Sequence, residues 1–129
     1  MATTDGPSAA LDAVRAAGPG AMVGLAVAPG VGIGLATPTA VSSTDWEGAL
    51  DTLRAIESSC APRWVWWSIE TPAALLAAGV RVGRCWDVVT VDRLLAGRWR
   101  TDIARAWARA HGVDTRSLPR LGQLGLLDV

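Results

Sequence analysis

The chain has 129 residues, of which 50% are apolar and only 19% are charged, and its formal net charge is zero. This composition excludes an intrinsically disordered chain, and the length is sufficient for one domain with a real core. The charge is unevenly spread, because residues 1–80 carry a net charge of minus four and residues 81–120 a net charge of plus five. The basic residues 81–120 have two interpretations. They could contact the phosphate backbone of a nucleic acid, or they could form a solvent-exposed helical face.

The first third of the chain predicts one short helix and a hairpin. Residues 1–8 are small and polar, lack the pattern of a secretion signal, and are expected to be disordered. A short helix is predicted over Leu11–Ala17, and two alternating apolar runs around Pro29-Gly30 predict a β-hairpin. The glycines of residues 30–34 do not complete a nucleotide-binding motif, and the run is too short and broken to cross a membrane.

A helix is predicted over Trp46–Ser58. Thr44 and Glu47 have the spacing of a capping box at its start. Asp45 and Glu47 also form an Asp-x-Glu pair, which is one arrangement of metal-binding carboxylates. Acidic residues are favoured in a first helical turn, so the structural interpretation is preferred to the metal site.

The stretch from Arg63 to Gly97 predicts strand, helix, strand and helix with almost no loop. Arg63–Ser68 is aromatic and β-branched, as in a buried strand. Thr71 and the following proline predict the start of a helix that covers Ala73–Ala78 and ends at Gly79. A strand over Val80–Cys85 follows, and then a helix capped by Asp87 and closed by Gly97.

The helix predicted over Trp99–His111 has an apolar face and a basic face. The apolar face is predicted to pack in the core rather than to stack on nucleic-acid bases, and its residues are Trp99, Ile103, Trp107 and Ala110. The arginines are candidate contacts to nucleic-acid phosphates, and they are Arg98, Arg105 and Arg109.

The remaining reactive residues predict no metal site, cofactor or catalytic group. Cys60 and Cys85 lack metal-binding spacing and are expected to be buried and reduced. His111 lies at a predicted helix end, where an imidazole interacts favourably with the last carbonyls. The leucine-rich residues 115–129 are expected either to pack back on the domain or to lead into more protein.

The segments RWVW, LLAAGVRV and RC, followed by an aspartate and a Leu-Leu pair, recur in this order in a known family. This stretch resembles the 3′-5′ exonuclease domain of family A (polymerase I type) DNA polymerases, especially the actinobacterial bifunctional exonuclease/polymerase form. The resemblance covers roughly Met22 to Gly112. It implies a single ribonuclease-H-like α/β domain over residues 21–112, with a mixed sheet flanked by helices. Residues 1–20 would precede the domain, and residues 113–129 would lead toward a polymerase domain.

The family's metal-binding residues have no counterparts at the matching positions. The opening strand, Ala21–Ala28, contains no carboxylate where the family has Asp-x-Glu. The family's asparagine falls on Trp67 and its metal-binding aspartate on Thr71, beside Glu70, while Asp87 matches an aspartate that binds no metal. The chain also has no tyrosine for the last motif. The resemblance therefore implies an exonuclease-like fold without catalytic or metal-binding residues.

The function expected from these observations is that of a catalytically degenerate exonuclease-like domain. It would serve a cytoplasmic DNA polymerase of replication or repair, as a structural part or by weak DNA binding through its arginine-rich helices. The alternative is a stand-alone protein-interaction or oligomerisation module that uses the tryptophan-rich strand and leucine-rich tail. An active metal-dependent nuclease ranks third.

Overall fold

The computed structural model describes residues 2–97, 99, 101–116 and 118. The chain divides into two compact units, Met1–Val88 and Val89–Val129. They are called the first and the second unit below. No helix among the described residues has both the length and the apolar character needed to cross a membrane.

The first unit is built on a six-stranded mixed sheet. Its strands are β1 (Ala2–Asp5), β2 (Met22–Ala28), β3 (Gly32–Ala36), β4 (Ala40–Asp45), β5 (Arg63–Trp66) and β6 (Cys85–Asp87). The spatial order is β1-β4-β3-β2-β5-β6. The β2-β3 and β3-β4 pairs are antiparallel, whereas β1-β4, β2-β5 and β5-β6 are parallel.

Helices α1 (Pro7–Ala17) and α2 (Trp46–Cys60) pack against one face of this sheet. Alternation along β2, β3 and β5 points their buried apolar residues toward the core. The buried cluster includes Val23 and Leu25 of β2, Leu53 of α2, and Trp64 and Trp66 of β5. This core positions the carboxyl ends of β2 and β5 beside each other as neighbouring parallel strands.

The hairpin predicted around Pro29-Gly30 is confirmed. Gly30 has a φ of 76°, a left-handed backbone conformation that residues with a Cβ rarely adopt. The Val31 backbone N–H donates a hydrogen bond to the Ala28 carbonyl oxygen and closes the turn. The prediction of disorder for residues 1–8 is wrong over Ala2–Ser8, because β1 pairs with β4 and α1 begins at Pro7. β4 has no predicted counterpart, since its run of Ser and Thr lacks an apolar alternation.

The predicted helix over Trp46–Ser58 is confirmed as α2, but its predicted cap is wrong. Asp45 is the N-cap, and its Oδ1 accepts a hydrogen bond from the Gly48 backbone at 3.0 Å. Thr44 instead lies on the core face of β4, where its Oγ1 is buried and has no hydrogen-bond partner in the described part of the chain. The pleat of the strand decides this difference, because neighbouring residues point to opposite faces of the sheet.

From β5 to the second unit, the predicted order of elements is confirmed. The N-cap of the helix and the start of the strand that follows it differ from the predictions. α3 (Glu70–Ala77) has Ile69 as its N-cap residue, so the prediction that Thr71 caps it is wrong. The prediction of a strand over Val80–Cys85 is also wrong, because β6 begins only at Cys85. Cys60 is buried as predicted, whereas the prediction of a buried Cys85 is wrong, since it is exposed.

The second unit contains α5 (Ile103–Ala110) and nearly all of α4 (Val88–Ala96), which begins directly after Asp87. Asp102 is the N-cap of α5, so the helix begins after the predicted start at Trp99. The predicted interaction of His111 with a helix end is confirmed, since its Nδ1 lies 2.8 Å from the Trp107 carbonyl oxygen. Predictions for residues 119–129 lie outside the described residues.

Candidate functional site

The site implied by the resemblance lies at the carboxyl ends of β2 and β5. Val23 and Leu25 of β2 point into the core, whereas Ala26 and Ala28 are exposed. One face of this strand therefore carries buried apolar groups, and the other carries Met22 followed by small residues. Neither face carries an oxygen ligand that could share a divalent metal with β5.

The segment after β5 also lacks a convergent acidic group. Trp67 and Ser68 follow the strand, and Thr71 lies in the first turn of α3 with its backbone bonded to Ser68. Glu70 is the exposed first residue of α3, and Asp87 is the last residue of β6. Among the described residues, no three His, Cys, Asp or Glu side chains lie close enough together to hold a metal ion. This part of the chain offers no support for two-metal chemistry.

The Asp-x-Glu pair on α2 has a structural role, as the sequence predicts. The Asp45 carboxylate is engaged in capping α2, while Glu47 lies exposed in the first turn of the same helix. Both positions are favourable for acidic residues because the helix N-terminus carries partial positive charge. The pair is therefore explained by the stability of α2.

Two of the three candidate phosphate-binding arginines make ion pairs within the second unit. The Arg105 guanidinium contacts the Asp102 carboxylate at 2.6 Å and also donates to the Leu118 carbonyl oxygen at 3.1 Å. Arg109 donates to Asp92 through both Nε, at 2.9 Å, and Nη2. Arg98 lies outside the described residues. A phosphate would have to compete with these carboxylates for Arg105 and Arg109.

These contacts lower the pKa values of the Asp92 and Asp102 carboxyl groups. The Arg109 hydrogen bond, helped by Thr101 and by the charge of Arg109, lowers the pKa of Asp92 against the opposing effect of burial. Burial raises the pKa of Asp102, but hydrogen bonds from the Arg105 side chain and backbone outweigh it and leave that pKa lowered. Both carboxylates are thus stabilised in their charged form.

The apolar face predicted for residues 99–110 is exposed, contrary to the predicted core position. Trp99 is 83% exposed, Ile103 64% and Trp107 58%. The Trp107 ring stacks on His111 at a centroid distance of 4.2 Å, and the Arg93 guanidinium lies 5.3 Å from the Trp99 ring centroid. Helical spacing correctly places Ile103 and Trp107 on one face but does not specify what covers that face.

The sequence matches no family model, and no curated protein matches it. Among solved structures, the chain is similar to the crystal structure of the Nibbler EXO domain from Aedes aegypti. The two share 13% sequence identity with a TM-score of 0.59, over 95% of this chain and 78% of that one. At this identity the likeness concerns the fold alone. The predicted fold class is thereby confirmed, and the chain has a ribonuclease-H-like, exonuclease-type α/β fold.

Proposed function

We propose that this chain is a catalytically degenerate 3′-5′ exonuclease-like domain of a DNA polymerase. The observation that carries the proposal is the combination of an exonuclease-type fold with a β2 strand that has no carboxylate. Two-metal hydrolysis requires cations on both sides of the scissile phosphate, and those cations require oxygen ligands. The domain would therefore contribute support or positioning rather than cleavage.

The polymerase context is supported by the sequence resemblance of Arg63–Gly97 to the actinobacterial family A enzymes. In that context the domain would lie before a polymerase domain in a cytoplasmic protein of replication or repair. The sheet of the first unit, with its core packed against α1 and α2, is suited to a structural role that needs no reactive side chain. This role does not require a divalent metal.

DNA binding, where it contributes, would be weak and independent of base sequence. Arg105 and Arg109 are only 20% and 26% exposed, and both are paired with carboxylates. A phosphate contact would have to replace or share an existing ion pair, so each arginine adds less than a free surface arginine would. Arg81 and Arg84 are exposed on the first unit and supply additional positive charge.

The test is a digestion assay with single-stranded DNA in Mg²⁺ or Mn²⁺. We expect no shortening of the DNA by the intact chain. Glu70→Ala provides the decisive variant, because Glu70 is the carboxylate beside the family's metal-binding position, and Glu47→Ala is its matched control on α2. Turnover that Glu70→Ala abolishes and Glu47→Ala preserves would contradict the proposal.

A second candidate function is protein interaction or oligomerisation, and the exposed face of α5 favours it. Ile103 and Trp107 lie one helical turn apart and are both mostly exposed. Tryptophans are enriched at the centres of protein interfaces, where they contribute a large share of the binding energy. In this candidate function the pair would form the apolar part of the contact surface.

Salt dependence separates the two modes of binding. DNA bound through arginines should dissociate as ionic strength rises, whereas association through α5 should persist or strengthen. Sedimentation of the intact chain at low and high salt would measure association, and fluorescence anisotropy with labelled DNA would measure binding. Trp107→Ala should reduce association, while Met22→Ala, at a position 61% exposed in the first unit, should not. Equal association of both variants and the unmodified chain would exclude α5 as the contact.

A further inference from the structure

The sheet of the first unit has a second face, on the side away from α1 and α2. A hollow of about 500 Å³ lies over β2, β3 and β4. Its described lining comes from these strands and the turn between β2 and β3, without a residue of either helix, so the hollow lies on this second face. Strand pairing and alternation place small or polar residues on its floor, and these are Ala26, Ala28, Gly32, Gly34, Ser43 and Asp45.

Gly34, on the floor of the hollow, is not required by the backbone of the first unit. Its φ lies outside the left-handed region, and a Cβ at this position would meet only the Ala26 Cβ among the described residues, at 4.0 Å. Gly32 differs, because a Cβ there would overlap the Thr44 carbonyl oxygen. Glycine inside a strand weakens the strand, and it often marks a place where another backbone approaches closely. The floor at Gly34 is therefore suited to an element that packs on it from outside.

The exposed face of α5 has the bulk that this floor lacks. Ile103 and Trp107 lie one helical turn apart, and both side chains are mostly exposed. A helix that carries such a pair can pack closely on glycine and alanine, since no large side chain of the floor holds it away. One contact between the two surfaces would remove apolar area of both from water.

The two surfaces belong to parts of the chain with opposite charge. Residues 1–88 contain eight Asp or Glu and five Arg, a net charge of minus three, whereas residues 89–129 contain seven Arg and four Asp, a net charge of plus three. The charged residue in the described lining of the hollow is Asp45, and Asp5 lies beside it, where its carboxylate accepts a hydrogen bond from Ser43 Oγ at 2.7 Å. Opposite charges orient two copies as they meet, whereas the apolar contact provides most of the affinity.

We propose that copies of this chain associate by docking α5 of one copy into the hollow of another. Ile103 and Trp107 would lie against Gly34 and Ala26. Each copy carries both surfaces, so two copies can exchange two identical contacts around a two-fold axis. This inference rests on the second candidate function, association through α5, and adds the surface that receives α5.

The test uses two variants that each remove one side of the contact. Gly34→Val fills the hollow, and Trp107→Ala removes the bulky ring of α5. In sedimentation velocity, we expect each variant alone to associate roughly tenfold more weakly than the unmodified chain. An equimolar mixture should associate more strongly than either variant alone, because α5 of the Gly34→Val copy still meets the open hollow of the Trp107→Ala copy. A mixture that associates no more strongly than its two components would overturn the proposal.

Control variants separate the hollow from the rest of the sheet. Ala36→Val adds bulk on the same strand and face as Gly34 but outside the described lining, so association should remain unchanged. Circular dichroism checks that each variant folds, and Ala26→Leu, at an exposed floor position, takes the place of Gly34→Val if that variant unfolds. Undiminished association in Gly34→Val and Ala26→Leu, with weakening in Trp107→Ala, would exclude the hollow and leave α5 as a contact. A chain that stays monomeric at all concentrations would contradict both this inference and the second candidate function.

Discussion

The carboxylate of Glu57 joins α2 to two other parts of the first unit. It accepts one hydrogen bond from Trp64 Nε1 at 2.6 Å and another from the Gly83 backbone at 2.9 Å. Trp64 is completely buried, so removal of the carboxylate would leave its indole donor without a partner. This single side chain therefore connects α2, β5 and the segment before β6.

Glu57→Ala should lower the free energy of unfolding by about 2 kcal/mol, because it leaves two donors unpaired. Glu57→Gln keeps one acceptor oxygen and should cost less. Chemical denaturation followed by circular dichroism measures both changes. Asp51→Ala, on the same helix at a side chain 88% exposed, is the control and should cost less than about 0.5 kcal/mol. Similar losses in Glu57→Ala and Asp51→Ala would show that the Glu57 contacts contribute little.

The ion pair of Asp92 with Arg109 should make the stability of the second unit depend on pH. Its pKa is lower in the folded chain, chiefly through the Arg109 hydrogen bond, so its stabilising contribution is present above the ordinary carboxyl pKa. That contribution should be lost as the pH falls through the folded pKa. Asp92→Asn should therefore weaken the acid dependence of thermal unfolding, measured by circular dichroism from neutral to acidic pH. Asp51→Asn is the control, and an unchanged profile in Asp92→Asn would contradict the prediction.

At the scale of elements, the start of α2 depends on which side chain reaches the first free amides. Asp45 provides the acceptor, while Thr44 is directed to the core by the pleat of β4. Asp45→Ala should therefore lower the unfolding free energy by about 1 kcal/mol. Thr44→Val should leave it unchanged or raise it, because this substitution removes a buried hydroxyl that no described residue bonds. Denaturant unfolding of the two variants measures both effects, and the reverse order would restore Thr44 as the cap.

The pairing of β3 with β4 depends on a close backbone approach at Gly32. A Cβ at this position would overlap the Thr44 carbonyl oxygen, whereas a Cβ at Gly34 would meet only the Ala26 Cβ, at 4.0 Å. Gly32→Ala should therefore destabilise the first unit by at least about 1 kcal/mol, and Gly34→Ala should not. Thermal unfolding of the two variants provides the measurement. Equal stability would show that the two strands separate at Gly32 without cost.

At the scale of the whole molecule, the chain has an exonuclease-type fold, but its described residues include no cluster of side chains that could hold a metal ion. A metal that binds only the folded state raises its stability in proportion to the logarithm of metal concentration. Since no His, Cys, Asp or Glu cluster among the described residues could hold a cation, millimolar Mn²⁺ should leave the melting temperature unchanged. Mg²⁺ and Ca²⁺ should behave alike. A saturable rise in melting temperature with Mn²⁺ would show that the chain holds a metal site.

The sequence was informative where structure depends on neighbouring residues. Arg63–Trp66 was recognisable as a strand from its aromatic and β-branched residues, and Trp46 was correctly placed at the start of a helix. β4 could not be predicted in this way, because its polar residues are stabilised by pairing on both sides with β1 and β3. The hollow over β2, β3 and β4 was also unpredictable, since its floor comes from separate strands.

The amino-acid order by itself determined the hairpin turn, the helix α2, the strand β5 and the lack of carboxylates on β2. These properties follow from backbone preferences and residue identity within a few positions. Only the tertiary structure decided that Arg109 pairs with Asp92, that Trp66 Nε1 has no acceptor among the described residues and that Trp107 is exposed. The physical reason is that ion pairing and burial depend on residues far apart in the chain, whose proximity arises only when the chain folds.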